Sequence, residues 1–309
     1  MPLLVTIDIV SNNKKYRAVY ICKGVKLFSN KTITMKTLML KQDLFSMSFN
    51  VAPYNSFINE IVARSKSFSS EFVCVANVHM LVESFLDRNF ASVVNNADIV
   101  TPDGVPITWA LRLLDGIKQD RVAGMDLLPD LLSRCSTENL PVYFYGGTQT
   151  MLDKTDAFVK QNYPALNVAG MYSPPFRKLT EAEDQAVADQ INASGARIVF
   201  VVLGCPKQEK WMASMKGKIN AVMIGIGGAL PVLVGMQKRA PKWIQNIGME
   251  WGYRLAQDPK RLFKRYLVTN SIFIYLLLTQ KAKQLIINKK PSKVVTLDTS
   301  NRSFLKKTA

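Results

Sequence analysis

The sequence predicts an α/β fold, a Rossmann-like, mostly parallel sheet flanked by helices, with a basic helical C-terminal appendage suited to a membrane surface. Two observations carry this expectation. From about residue 70, short apolar runs alternate with longer helical patterns, the rhythm of strands joined by helical crossovers. Charge is also segregated: residues 238–309 hold 16 Lys and Arg against 3 Asp and Glu, whereas residues 51–237 hold 16 basic and 18 acidic side chains. The tail thus contributes +13 of the net charge of +17, and the middle reads as an ordinary soluble domain. Such asymmetry points to a negatively charged surface or substrate.

A chain of 309 residues with 48% hydrophobic side chains can bury a large core without disulfides or structural metal. Cys22, Cys74, Cys135 and Cys205 are scattered and form no CxxC pair, which predicts a reducing, cytoplasmic setting. The first residues place their charges after the apolar stretch and interrupt it at Asp8, the wrong order for a secretory signal.

Residues 1–44 stand outside the alternating rhythm. They read as an N-terminal extension with short strands around residues 14–16 and 19–22. The α/β core is expected over residues 45–237. Its strands are expected at 72–76, 97–100, 142–145, 166–169, 197–203 and 221–226, most of them rich in Val, Ile, Phe and Tyr and ending on Gly, Asn or Pro. Between them, Thr180 and Glu183 make a capping box, and Asp126 is placed to cap a helix running through Leu132. Thr148 opens a helix on which Met151, Leu152, Thr155, Phe158 and Val159 share one face.

The appendage is expected over residues 238–287. Arg254, Lys260, Arg261, Lys264 and Arg265 are interleaved with Trp251, Tyr253, Phe263 and Tyr266, which on a helix gives a basic, aromatic-rich surface for an anionic bilayer. The apolar run at 271–279 falls short of the ~20 residues needed to span one. The plainer reading is an amphipathic helix packed on its own domain with its cations in water. Residues 288–309 read as disordered. Nucleic acid is disfavoured as the anionic partner, because no helix-turn-helix, zinc-ligand or RNP-like pattern occurs.

Parallel sheets bind ligands beyond the carboxyl ends of their strands. The turns there are Asn77-Val78-His79, Thr101 to Gly104, Gly146-Gly147-Thr148, Gly204 to Glu209, and Gly225 to Gly228. Together they predict a polar crevice in which backbone N–H groups and helix N-termini meet a nucleoside diphosphate. The dinucleotide fingerprint fails, since Leu230 stands where the third glycine belongs, and no P-loop occurs. Asp103 precedes a helix with Pro106 in its first turn and reads either as its N-cap or as a general base that takes a proton from a sugar hydroxyl. His79, the only histidine, reads either as a solvent-facing first-turn residue or as a crevice residue. No DxD pair occurs, so neither a metal ion nor any other cofactor is indicated.

The segments around Asn77, Asp103-Gly104, Arg121 to Asp126, Gly146-Gly147, Pro206 to Glu209, Gly225 to Gly228, Arg239 to Trp243 and Glu250-Trp251 occur in the order seen in the WecG/TagA/CpsF glycosyltransferases, glycosyltransferase family 26, which the chain resembles from about residue 45 to 267. The resemblance implies inverting, metal-independent transfer from a UDP-sugar to a sugar on a polyprenyl diphosphate at the cytoplasmic face of a bacterial membrane, in cell-surface polysaccharide synthesis. The donor sugars it implies are N-acetylmannosamine, its uronic acid, or glucose. Carried over residue by residue, it makes Asp103 the base. Asn77, Arg121 and Gln208 then line the donor pocket, joined by the glycine turns at Gly146, Gly147, Gly225 and Gly227. It makes Arg254, Arg261 and Lys264 the cations that neutralise UDP or the acceptor diphosphate once the appendage folds over the site. Some members form oligomers, so a homo-oligomer is among the partners it allows. The chain departs from the family pattern at Val75, Ala123 and Met125, where relatives often carry hydroxyls, which bears on the donor sugar and not on the reaction type. The competing reading is a non-catalytic nucleotide-sugar-binding or membrane-anchoring module.

Overall fold

The computed structural model describes residues 3–11, 14–22 and 39–287 and divides into two units, one ending at Leu38 and one beginning at Met39. In the first, β1 (Leu3–Ser11) and β2 (Lys14–Cys22) pair antiparallel. The expected disorder of 288–309 lies outside the described residues.

The second unit opens with the hairpin β3 (Leu40–Leu44) and β4 (Met47–Val51). Leu44, Met47 and Phe49 are buried in the main core, and Asn50 Oδ1 accepts the Val100 N–H at 2.8 Å. The unit therefore starts ahead of the boundary expected at residue 44. Then follow α1 (Tyr54–Ser65), β5 (Glu71–Ala76), α2 (Val78–Leu86), α3 (Arg88–Asn95), β6 (Ile99–Pro102), α4 (Val105–Asp115), α5 (Gly124–Thr137), β7 (Val142–Gly146) and α6 (Gln149–Asn162). The chain continues through β8 (Val168–Tyr172), α7 (Glu181–Ala193), β9 (Ile198–Val202), α8 (Lys207–Met215), β10 (Val222–Gly225) and α9 (Ala229–Leu233). The appendage is α10 (Lys242–Asn246), α11 (Glu250–Gln257) and the 29-residue α12 (Pro259–Ile287).

Six strands form one parallel sheet in the order β6-β5-β10-β9-β7-β8. Alternate residues of each strand feed opposite cores, Phe72, Cys74 and Ala76 on one side and Val73 and Val75 on the other. Burial on both faces is why these strands read as continuous apolar runs rather than alternating ones. Each of the six expected strands is present. The second and the fourth begin two residues later than expected; both, β6 and β8, are edge strands, and in β6 Pro102 can end the ladder without an N–H that a neighbour needs.

The capping box at Thr180 forms, with Thr180 Oγ1 accepting from the Glu183 N–H and Glu183 accepting from the Thr180 N–H. Thr148 caps α6 through the Met151 N–H. The cap expected of Asp126 is corrected: α5 starts two residues before it with Ala123 at the N-cap, and the Asp126 carboxylate is taken by arginines.

The appendage packs back on the α/β core of its own unit. Leu262, Phe273 and Leu276 of α12 are buried, Phe273 meets Phe45 edge-on at 6.2 Å, and Lys281 Nζ donates to the Leu113 carbonyl at 2.9 Å. Other apolar residues of the same helix, among them Phe263, Leu267, Ile274 and Leu278, are exposed. Among the described residues no helix is long and apolar enough to cross a membrane.

Candidate active site

A cleft of about 890 Å³ opens at the carboxyl ends of β5, β6, β9 and β10 and is closed on its far side by α11 and α12. Asp103 follows β6 directly. Its N–H donates to the Ala76 carbonyl at 2.9 Å, which ties this loop to the end of β5. The N-cap alternative fails, because Gly104, at φ +108°, caps α4, and its left-handed backbone lets the chain turn sharply into the helix. Asp103 is thereby left facing the cleft, part of its surface open. Burial among protein atoms pushes its carboxyl up to about 7; Arg254 and Arg121 oppose that rise, while Glu250 and Asp126 add to it.

Arg121 sits beneath the appendage. Its guanidinium donates to Glu250 of α11 and to Asp126 of α5, both at 2.8 Å, and Arg239 also engages Asp126. Residues 129 positions apart are thus joined by an ion pair that ties the appendage to the core. Arg254 reaches in from α11, donating to Met125 Sδ at 3.3 Å, with its guanidinium about 3.8 Å from where a Gly228 side chain would begin.

Gln208 lies on the cleft floor. Its Nε2 donates to Glu209 Oε1 at 2.6 Å, and its Oε1 accepts the Gly204 N–H at 3.3 Å. Glu209 is fully buried, and burial pushes its carboxyl up to about 7. Glycine at 225 makes room for this amide, since an added Cβ would stand 2.8 Å from Gln208 Nε2 and 3.0 Å from Met212 Cε. Gly225→Ala is therefore expected to displace Gln208 and to cost about 1–3 kcal/mol of stability, read by thermal unfolding. A melting curve equal to wild type would place the amide elsewhere.

Asn77 caps α2, its Oδ1 accepting the Met80 N–H at 3.2 Å, and lines the cleft. His79 also lines it, which corrects the solvent-facing reading. Its side chain is 17% exposed, and burial together with Arg265 holds its imidazole down at about 4, so it is neutral near pH 7.

The structure brings Asn77, Asp103, Arg121, Gln208, Gly225, Gly227, Arg254 and Arg261 to one cleft. Three expected residues are not among its lining. Gly146 is packed against β9, where a Cβ would stand 2.6 Å from the Val202 carbonyl oxygen, and Gly147 is packed against Met151. Lys264 is exposed on another face of α12. Arg265, one residue on and about 100° around the helix, takes the cleft position with Tyr266, Thr269 and Asn270. The signal for these four is the i, i+3, i+4 spacing from Asp258, Arg261 and Leu262.

The model of the glycosyl transferase WecG/TagA/CpsF family matches residues 42–286. The N-acetylglucosaminyldiphosphoundecaprenol N-acetyl-beta-D-mannosaminyltransferase of Bacillus spizizenii is 34% identical over 191 residues, 62% of this chain and 72% of that protein. The protein of the same name from Bacillus subtilis is 30% identical over 214 residues, 69% of this chain and 81% of that protein.

Proposed function

Since the chain belongs to the WecG/TagA/CpsF family of glycosyl transferases, we propose that it moves an N-acetylmannosamine-type sugar, or glucose, from a UDP-sugar to a sugar on polyprenyl diphosphate, inverting the anomeric carbon without a metal ion. The supporting observation is Asp103, a carboxyl of raised proton affinity at the strand-end cleft that Arg254 also lines. In the proposed step Asp103 takes the proton of the acceptor hydroxyl as its oxygen bonds to the anomeric carbon and the bond to UDP breaks. Arg254, which has no carboxylate partner among the described residues, meets the charge that develops on the departing diphosphate. The names of the two relatives favour a GlcNAc-diphosphate lipid as acceptor.

The exposed Phe263, Leu267, Ile274 and Leu278 of α12, with Lys260 and Lys264 beside them, support peripheral docking on the anionic inner face of the bacterial plasma membrane. Such docking brings the cleft to the lipid that carries the acceptor.

The stereochemistry is tested by the anomeric configuration of the product, read by NMR from an α-linked UDP-sugar with EDTA present. A β-linked product at an undiminished rate is expected. An α-linked product, or a rate restored only by added metal, overturns inversion or metal independence respectively.

A further inference from the structure

The guanidiniums of the cleft are unequally committed. Arg121 is held by Asp126 and Glu250, and Arg261 by Asp258, its Nε 2.5 Å from Oδ2. Among the described residues no carboxylate lies within ion-pairing distance of Arg254 or Arg265. Arg254 stands with Asp103. Arg265 lines the cleft from α12, which packs on the helix α2 that carries His79, and Asp258 feels its charge without an ion pair.

That second place carries unmet hydrogen-bonding capacity. Arg265 Nε, His79 Nδ1 and Thr269 Oγ1 are all buried without a hydrogen-bond partner. The carboxylate nearest His79, Glu83 Oε1, is 3.7 Å from Nδ1, too long for a hydrogen bond. Arg265 and Thr269 are one turn apart on α12, and α12 packs on α2. Polar groups left unpaired in this way are costly, so three along one seam mark a place where a partner is missing. A neutral imidazole, a hydroxyl and a guanidinium can all donate hydrogen bonds, which matches a ligand made of acceptor oxygens.

We infer that Arg265, His79 and Thr269 form a second anion subsite, which takes the diphosphate of the lipid-linked acceptor while Arg254 serves the donor. This rests on the proposed transfer reaction. Two features assign the acceptor rather than the donor. Arg254 reaches Met125 and Gly228 from α11, whereas Arg265 lies on α12, which packs on α2, so the two guanidiniums enter the cleft from different elements. The helix that presents Arg265 to the cleft also exposes Phe263 and Leu267, apolar ground for the hydrocarbon attached to such a diphosphate. At about 890 Å³ the cleft is near the upper end of the ~300–1,000 Å³ common for a single ligand, leaving room for the reacting ends of two.

The test titrates UDP and farnesyl diphosphate separately into the full chain by calorimetry, comparing wild type with Arg265→Gln, Arg265→Lys and Thr269→Val. Arg265→Gln is expected to weaken farnesyl diphosphate at least tenfold and to leave UDP within twofold, with Arg265→Lys recovering part of the loss. Thr269→Val, close in shape, is expected to weaken farnesyl diphosphate about threefold and keeps the test open if Arg265→Gln does not fold. In turnover, Arg265→Gln should raise the KM for acceptor and leave the KM for donor. Equal loss of both ligands would assign Arg265 to the donor, and unchanged farnesyl diphosphate binding in all three variants would overturn the subsite. Absence of transfer by wild type, with the binding differences intact, would sink the reaction and not the subsite.

Discussion

Asp103→Asn is expected to lower transfer by about 10²–10⁴-fold while UDP still binds, because the amide keeps the shape of the carboxylate and loses its ability to accept a proton. Burial has raised the Asp103 proton affinity to about 7, so the wild-type enzyme should gain kcat/KM as pH rises. Below that value the carboxyl is protonated and cannot act as base; above it the carboxylate is free. The profile should therefore climb through a midpoint near pH 7. Negative charge on a bound donor disfavours ionisation further, so the midpoint for kcat should lie at higher pH than that for kcat/KM. Full activity in the variant, or a flat wild-type profile between pH 6 and 8, would remove Asp103 from the chemistry.

The second large effect concerns the appendage. Removing residues 238–309 takes away Glu250, which holds Arg121, together with Arg254, Arg261 and Arg265, and so strips most of the positive charge from the cleft. Loss of activity and of binding to anionic liposomes is expected together. The deletion also uncovers core that Leu262, Phe273 and Leu276 had covered, so the point variant Arg254→Ala is needed beside it. That variant should lose about 10²–10³-fold in kcat, in line with removal of one preorganised group at a developing anion, and still sediment with liposomes. Liposome binding unchanged by the deletion would place the membrane contact elsewhere.

The sheet was legible in the sequence because its strands are buried on both faces and so appear as unbroken Val, Ile and Phe runs with turn residues after them. The cleft was legible for the same reason, since turns that follow parallel strands converge at one edge. Asp103 was ambiguous because a cap and a base occupy the same kind of position; Gly104 at the N-cap, with its positive φ, removed the cap reading, and sequence alone does not report φ. Gly146 illustrates the opposite error, a glycine at the right edge whose lack of a side chain is used up in packing against Val202. The rotation of α12 was the least legible feature. Lys264 and Arg265 are adjacent and both cationic, and which one enters the cleft depends on how Leu262, Phe273 and Leu276 seat the helix on the core. The Arg121–Glu250 pair was equally hidden, because nothing local links residues so far apart in the chain.

UDP release by the full-length protein, measured in EDTA with a panel of UDP-sugars and a polyprenyl-diphosphate-linked GlcNAc or glucose acceptor, tests the central claim most directly. Release that depends on the acceptor and occurs with one donor is the predicted result and identifies the sugar. No release from any donor, in a protein that also fails to bind UDP, would contradict it.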